Sequence, residues 1–463
     1  MSSHLASPPE QPLIRVSHYN VFNPATGAIA GSAPLCGKEE AEAAVERADE
    51  AWRGWRALDV GARARKIEAG LEAVASSKSD LSALLTQEQG KPLHEAQQEL
   101  DGFRDKMRSF LRLGMSVPDG RIVTLPSLRA PSYGQFASVP DGVTVGLVAW
   151  NYPVALIAKK AGPALIGGCT VILKPAFTAP LSALRLVELM NLELPPGVLQ
   201  CVTGRGKDVG MALIRHPAVR RVHLTGTDDT GKAVSAAGLP DTELLLELAG
   251  SDPMIVLSDA DIGKALQAAV IGRFRNCGQT CSAVKRLYVD TPIYDEFVGR
   301  LVPLVERLAP GNGLEPASAP FVRIGPLHSS EQLQRIEAQL HDAVSRGAEV
   351  LTGGRRPPGA KCSNGHFFEP TVVANVPGDS RLVLEEVFGP VLPVFRTSGI
   401  EDAIEKANAS DWDLNASLWT GDRSLAREVG PRIRCRQLWV NRLPFGLNLR
   451  DSPELIAEHH SSN

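Results

Sequence analysis

The chain has 463 residues, of which 43% are hydrophobic and 22% charged, and its formal net charge is −3. That length exceeds what a single core organises, so two or three domains are expected. The near-neutral balance carries no electrostatic footprint for nucleic acid or for an anionic membrane surface.

The polar start, Met1 to Pro12, lacks the basic and apolar regions of a secretory signal. The longest apolar stretch, Gly162 to Leu173, is interrupted by Pro163 and Gly167-Gly168 and is too short to span a bilayer. Seven cysteines without framework spacing fit a reducing compartment, which predicts a cytoplasmic protein.

Lys38 to Arg56 and Ala62 to Leu84 are rich in Ala and Glu with apolar residues at helical spacing, so the N-terminal part reads as helical. Between Arg121 and Val145 the pattern turns to short β-prone pieces punctuated by Pro126, Pro131, Pro140 and Asp141-Gly142, a hairpin or arm suited to oligomerisation. From Val143 the pattern alternates. Val143 to Ala149, Thr170 to Leu173 and Val198 to Val202 read as strands around helices Val154 to Leu165 and Leu181 to Met190. Val222 to Thr225 and Leu244 to Leu248 then flank a helix over Gly231 to Ala237. That order predicts a parallel sheet with crossover helices. A second α/β stretch, placed beyond a domain change near Gly250, holds a helix at Ile262 to Phe274, a strand at Val284 to Val289, and helices at Tyr294 to Leu308 and Ser329 to Arg346. Gly353 to Gly365 is a loop by composition.

The densest chemical signal is Asn276-Cys277-Gly278-Gln279-Thr280-Cys281, between a predicted helix and a predicted strand. Its two thiols at i and i+4 are open to three readings: buried core cysteines, half of a metal site, or a nucleophile. No flanking His supports zinc, since His223 and His328 are remote in sequence, and no metal is expected.

This segment is one of six short motifs. The others are Trp150-Asn151-Tyr152-Pro153, Lys174-Pro175-Ala176, Leu224-Thr225-Gly226-Thr227, Glu247-Leu248-Ala249-Gly250 and Glu385-Glu386-Val387-Phe388-Gly389-Pro390. In this order and spacing the chain resembles the aldehyde dehydrogenase superfamily from about Phe22 to about Asn441. The run Ser251 to Ile262 and the segment after Asn276 look most like its bacterial semialdehyde-type members. The resemblance implies an α/β fold with a Rossmann-like cofactor domain (1–120 and 143–249), a catalytic α/β domain (250–440), and a β oligomerisation arm with an atypical C-terminal tail (121–142 and 441–463). It also implies a homodimer acting on a small-molecule aldehyde with NAD or NADP.

The chemistry is arguable from the residue types. A thiolate at Cys281 adds to an aldehyde carbon. The Asn151 amide and the Cys281 backbone N–H are donors for the resulting oxyanion. Glu247, if buried at low dielectric, should have a raised pKa suited to activating water on the thioester, rather than pairing with lysine. The plainer alternatives are a turn or cap role for Asn151 and a solvated strand end for Glu247.

For the cofactor, Gly226 to Lys232 follows a strand and opens a helix, an arrangement that presents N–H groups to a pyrophosphate. The resemblance implies Trp150, Lys174, Gly226, Thr227, Gly231, Leu248, Glu386 and Phe388 as cofactor-binding residues. Lys174 would reach the adenosine ribose and Glu386 the nicotinamide ribose, while Phe388 would pack near the ring or simply in the core. Three departures stand out. Phe177 replaces a Glu common in NAD-preferring members, which leaves NADP open. Ala249 stands where Gly is usual and would be strained if that position required positive φ. The residues after Asn441, including Leu447 to Asn463, do not follow the family's Gly-rich pattern. The competing reading is a degenerate member that binds nucleotide or a partner with little turnover. Arg273 and Arg275 could anchor a carboxylate on a semialdehyde, but helix-borne arginines are more often solvated or structural, which is the favoured reading.

Overall fold

The computed structural model describes residues 17–117, 121–125, 132–136, 139–315, 323–359 and 362–444. Strands β1 (His18–Phe22) and β2 (Ile29–Pro34) form an antiparallel pair. Four helices follow: α1 (Lys38–Ala57), α2 (Val60–Ser76), α3 (Lys78–Gln89) and α4 (Leu93–Ser116). Helix α1 buries Ala41, Ala44, Val45 and Ala48, the one-face spacing read from the sequence. The single helix expected over Ala62 to Leu84 is two. Ser77 leaves the helical region at φ −104, ψ 15, and its N–H closes α2 on Ala75 O and Val74 O. Strands β3 (Arg121–Leu125) and β4 (Ser132–Phe136) pair antiparallel, the hairpin expected there.

The first large sheet comprises β5 (Val143–Val148), β6 (Thr170–Pro175), β7 (Leu199–Cys201), β8 (Val219–Thr225) and β9 (Glu243–Glu247) in the order β7-β6-β5-β8-β9, all parallel. Helices α5 (Pro153–Ile166), α6 (Leu181–Met190), α7 (Met211–Ile214) and α8 (Asp228–Ala237) are its connections. Every residue of β5 and β6 is buried, as a strand covered by helices on both faces requires. The strand order reverses between β5 and β8, so a crevice opens beyond their carboxyl ends. Trp150 and Asn151 follow β5 at that point, and Gly226 and Thr227 follow β8.

The second sheet begins with β10 (Asp252–Val256), α9 (Ile262–Phe274), β11 (Val284–Asp290) and α10 (Thr291–Glu306). Helix α10 starts three residues before the expected Tyr294, because the Asp290 side chain caps the Thr291 amide at 3.1 Å. A short parallel pair, β12 (Ala309–Pro310) with β13 (Arg323–Ile324), precedes α11 (Ser330–Ser345). Then come β14 (Glu349–Thr352), β15 (Thr371–Ala374), α12 (Arg381–Leu384), β16 (Val391–Thr397), α13 (Ile400–Asn408), β17 (Asn415–Trp419), α14 (Arg423–Val429) and β18 (Gln437–Val440). The sheet order is β14-β15-β16-β11-β10-β17-β18, with only β14 antiparallel to its neighbour. The atypical tail from Phe445 onward lies outside the described residues. Among the described residues no helix is long and apolar enough to cross a membrane.

Candidate active site

The segment carrying the two thiols is held in an unusual backbone. Asn276, Cys277 and Gly278 have φ of 52°, 56° and 72°, three consecutive residues in the left-handed region. Two of them carry side chains, a strain of about 1–3 kcal/mol each. Tertiary bonds hold it: Asn276 N donates to Glu95 Oε2 (2.9 Å), Asn276 Nδ2 to Asn151 O (2.9 Å), and Gln279 Oε1 accepts His328 N (2.8 Å). Gly278 admits no other residue, since a Cβ there would stand 2.3 Å from Gly389 O.

This loop separates the two thiols. Cys277 is buried in the apolar core beside Phe274, and burial pushes its thiol far up. Cys281 emerges half-buried. Burial raises its thiol as well, while the Lys285 charge opposes the rise. Asn151 is 6% exposed and donates from Nδ2 to Gln279 O at 3.0 Å, two residues before Cys281. An amide has two N–H groups, so one bond anchors it and one donor remains. Beneath it, Lys91 is fully buried, pairs with Glu99 and donates to Asn151 O at 2.9 Å. Glu99 Oε1 accepts the Val154 and Ala155 amides at 2.9 and 3.0 Å, so one carboxylate caps α5 and fixes the residues just before it. Neither Lys91 nor Glu99 stood out in the sequence.

Glu247 corrects a sequence expectation. Burial does push its pKa up, but the facing His223, Lys159, Lys160 and Thr225 outweigh burial and bring it down to about 2. Thr225 Oγ1 donates to Glu247 Oε2 at 2.9 Å, Lys159 Nζ lies 3.8 Å from Oε1, and His223 Nε2 lies 3.7 Å from Oε2. The carboxylate therefore rests beside the Lys159 ammonium, the Thr225 hydroxyl and an imidazole whose own pKa burial lowers, and so has the kind of partner the sequence reading set aside. The signal was present in Lys159-Lys160 on α5, but only the sheet brings it to β9.

Arg273 takes the structural role that the sequence reading favoured for it. It is 0% exposed, and it donates to the carbonyls of Val284 (3.2 Å), Gly278 (3.1 Å), Val387 (3.0 Å) and Gly389. It is a structural clasp that a substrate cannot reach. Arg275 differs: Nη2 donates to Gln98 Oε1 at 3.2 Å, and its buried Nε has no partner among the described residues. The conditional strain at Ala249 is absent, because Ala249 is not among the described non-glycine residues with positive φ.

An aromatic wall stands over the crevice. Trp150 stacks on His328 (4.4 Å, 10°) and meets Phe388 edge-on (5.5 Å, 85°). Both His328 nitrogens are engaged, with Thr178 Oγ1 and Gln89 O, and burial lowers its pKa to about 4, so the ring is neutral at pH 7. Phe388 is half-exposed. Glu386 pairs through Oε1 with Lys285 and accepts Gly250 N at 3.4 Å.

The residues fit a dinucleotide. Lys174 Nζ bonds Pro175 O at 3.0 Å and has no carboxylate partner among the described residues. A Cβ at Gly226 would meet nothing nearer than Leu224 Cδ1 at 3.3 Å. Thr227 caps α8. Gly231 and Leu248 touch each other, because a Cβ on Gly231 would come within 2.7 Å of Leu248 Cδ2, so this pair sets how closely α8 lies on β9. Asp228 and Asp229 in the first turn offset the positive helix end.

A parallel sheet with a switch-point crevice, fastened through Asn151 to a thiol loop beside a second, mixed sheet, is the architecture of a dinucleotide-dependent enzyme. The model for the aldehyde dehydrogenase family matches residues 14–448, and the chain belongs to that family. The chain is 36% identical to glutarate-semialdehyde dehydrogenase of Pseudomonas putida, over 91% of this chain and 85% of that protein. It is 37% identical to the NADP(+) succinate-semialdehyde dehydrogenase of Escherichia coli, over 91% and 86%. Among solved structures, an NADP-dependent enzyme from E. coli superposes with a TM-score of 0.87 at 36% identity, covering 92% of this chain and 86% of that one. Betaine aldehyde dehydrogenase from Staphylococcus aureus in complex with NAD+ gives 0.87 at 30% identity, covering 92% and 84%.

Proposed function

We propose that this aldehyde dehydrogenase oxidises an aldehyde carrying a distal anion, of the semialdehyde type, to the carboxylic acid through a thioester on Cys281. The observation that carries the mechanism is the Asn151 amide held on the Cys281 loop with a donor to spare. The Cys281 thiolate adds to the carbonyl carbon, and the oxyanion takes hydrogen bonds from Asn151 Nδ2 and the Cys281 N–H. NAD or NADP, when bound, accepts the hydride. Glu247 then swings off its cations and takes a proton from water as the water attacks the thioester, releasing acid and thiolate. Lys174, Gly226, Thr227 and Glu386 would hold the dinucleotide, with Trp150 and Phe388 walling the nicotinamide side and Gly231 and Leu248 setting the floor. Arg275, with its unpartnered Nε, and the semialdehyde relatives support an anionic substrate tail.

In this reading 1–120 and 143–249 bind the dinucleotide and 250–440 carry the nucleophile. The segment 121–142 is the arm that joins copies of the chain in a homodimer, and 441–463 is an atypical C-terminal tail in place of the family's intersubunit strand. The seven cysteines are all free thiols, which supports a cytoplasmic location.

The test is reduced-cofactor formation with NAD and with NADP against aliphatic, aromatic and carboxylated aldehydes, with Cys281→Ala as control. Carboxylated aldehydes should give the highest kcat/KM. Undiminished turnover in Cys281→Ala would sink the thioester, and no turnover with any aldehyde would return the degenerate reading.

A further inference from the structure

Lys285 lies on β11, four residues after Cys281, in a strand buried at every position. An ammonium is costly to bury unless it is paired and hydrogen-bonded. Lys285, with 0% side-chain exposure, has both: Nζ donates to Cys281 O at 2.9 Å and to Gly250 O, and it pairs with the Glu386 carboxylate. It also lies 5.5 Å from the centre of the Phe388 ring.

Every one of these partners belongs to a segment the proposed reaction uses: the nucleophile loop, the connection that follows Glu247, and the Glu386 to Phe388 stretch. Among the described residues the titratable groups facing the Cys281 thiol are Lys285, Asp252, Lys159 and Glu386, of which Asp252 is itself pushed up to about 7 by burial. Of the two cations, Lys159 is half-exposed and screened by solvent, while Lys285 is sealed from water.

Building on the Cys281 thioester reading, we propose that Lys285 is a positioning residue whose ammonium stabilises the Cys281 thiolate while pinning the nucleophile loop to the Glu386 carboxylate. It touches neither substrate nor reacting atom in this role. Removing its charge leaves Glu386 and Asp252 facing the thiol with no buried cation, which disfavours the thiolate and makes the thiol ionise at higher pH. A tether needed only for architecture would have no such effect.

The experiment is the pH dependence of Cys281 alkylation by iodoacetamide in the full-length protein, followed peptide by peptide by mass spectrometry so that other thiols do not contribute. Lys285→Gln keeps an amide donor for the two carbonyls and loses the charge. Lys285→Arg keeps the charge. The Gln variant should titrate about one unit or more higher, roughly tenfold slower alkylation below both midpoints, and the Arg variant near wild type. A folded Gln variant, with wild-type circular dichroism and thermal midpoint, that alkylates at the wild-type pH overturns the proposal. Should the Gln variant not fold, Lys285→Gln with Glu386→Gln removes both charges. Its midpoint should exceed that of Glu386→Gln alone, and equal midpoints overturn the proposal. Turnover that survives complete alkylation of Cys281 defeats the thioester reading itself, and Lys285's role with it.

Discussion

Asn151 Nδ2 donates to Gln279 O at 3.0 Å, so a side chain in the turn that follows β5 of one sheet is fastened to the loop that feeds a strand of the other. The contact spans 128 residues of sequence and is buried. It fixes where the proposed oxyanion donor stands before any substrate arrives, the condition under which such a donor lowers a barrier most.

Asn151→Ala is therefore expected to lower kcat by about 100- to 1000-fold. Its cost in folding stability should be only about 1 kcal/mol, for one buried bond. Steady-state kinetics beside a urea titration separates the two effects. A kcat within a few-fold of wild type would mean that the oxyanion lies elsewhere.

Glu247→Gln keeps the shape of the base and removes its proton acceptor. Acylation should survive, giving a burst of about one reduced cofactor per site, after which steady turnover falls by about 100- to 10,000-fold. Stopped-flow absorbance reads both phases. A variant that loses the burst along with the turnover would place Glu247 in the first half of the reaction.

The cluster around Glu247 sets a pH dependence. A folded-state pKa of about 2 lies below the ordinary carboxylate value, so the stabilising interaction is complete above about pH 4.5 and is lost as pH falls through about 2. Lys159→Met removes one of the cations, which raises the Glu247 pKa. The acid limb of the kcat profile should move to higher pH, and an unmoved limb would show that another group governs it.

Phe177 stacks on Tyr19 at 4.0 Å, and the Arg205 guanidinium lies 5.2 Å from its ring centre. With no carboxylate on the Phe177 side chain, NADP should be accepted. Phe177→Glu places a negative charge where a 2′-phosphate would lie, and NADP affinity should fall about tenfold or more relative to NAD. Equilibrium dialysis of the two cofactors tests this without turnover. Equal losses for both would indicate a packing defect in place of charge repulsion.

Arg273→Met takes the guanidinium away from four buried carbonyls, of which Gly389 O keeps the Val391 amide at 2.9 Å. The loss should be on the order of 3 kcal/mol or more in a urea titration. A loss below about 1 kcal/mol would show that the thiol loop holds its left-handed turn without this clasp.

The sequence alone determined the alternation of strands and helices, because apolar period and turn residues are local properties. Helices α6 and α9 fall on the predicted residues. It also marked the six motifs, including Asn151, Glu247 and Cys281, because the chemistry of an amide, a carboxylate and a thiol is carried by residue type. Environment was decided elsewhere. Glu247 was expected in an apolar setting with a raised pKa, but Lys159 on α5 and His223 on β8 reach it across the sheet. Arg273 and Arg275 look alike on one short stretch, yet one clasps four carbonyls in the core through its Nη atoms and the other reaches the Gln98 side chain at an exposed position. Lys285 gave no signal at all. Its partners Gly250 and Glu386 are 35 and 101 residues away, and a lysine in a strand reads as surface until packing seals it. Charge and burial act through space, so only the tertiary structure could say which thiol of Cys277 and Cys281 lies in the core and which one stands beside a buried cation.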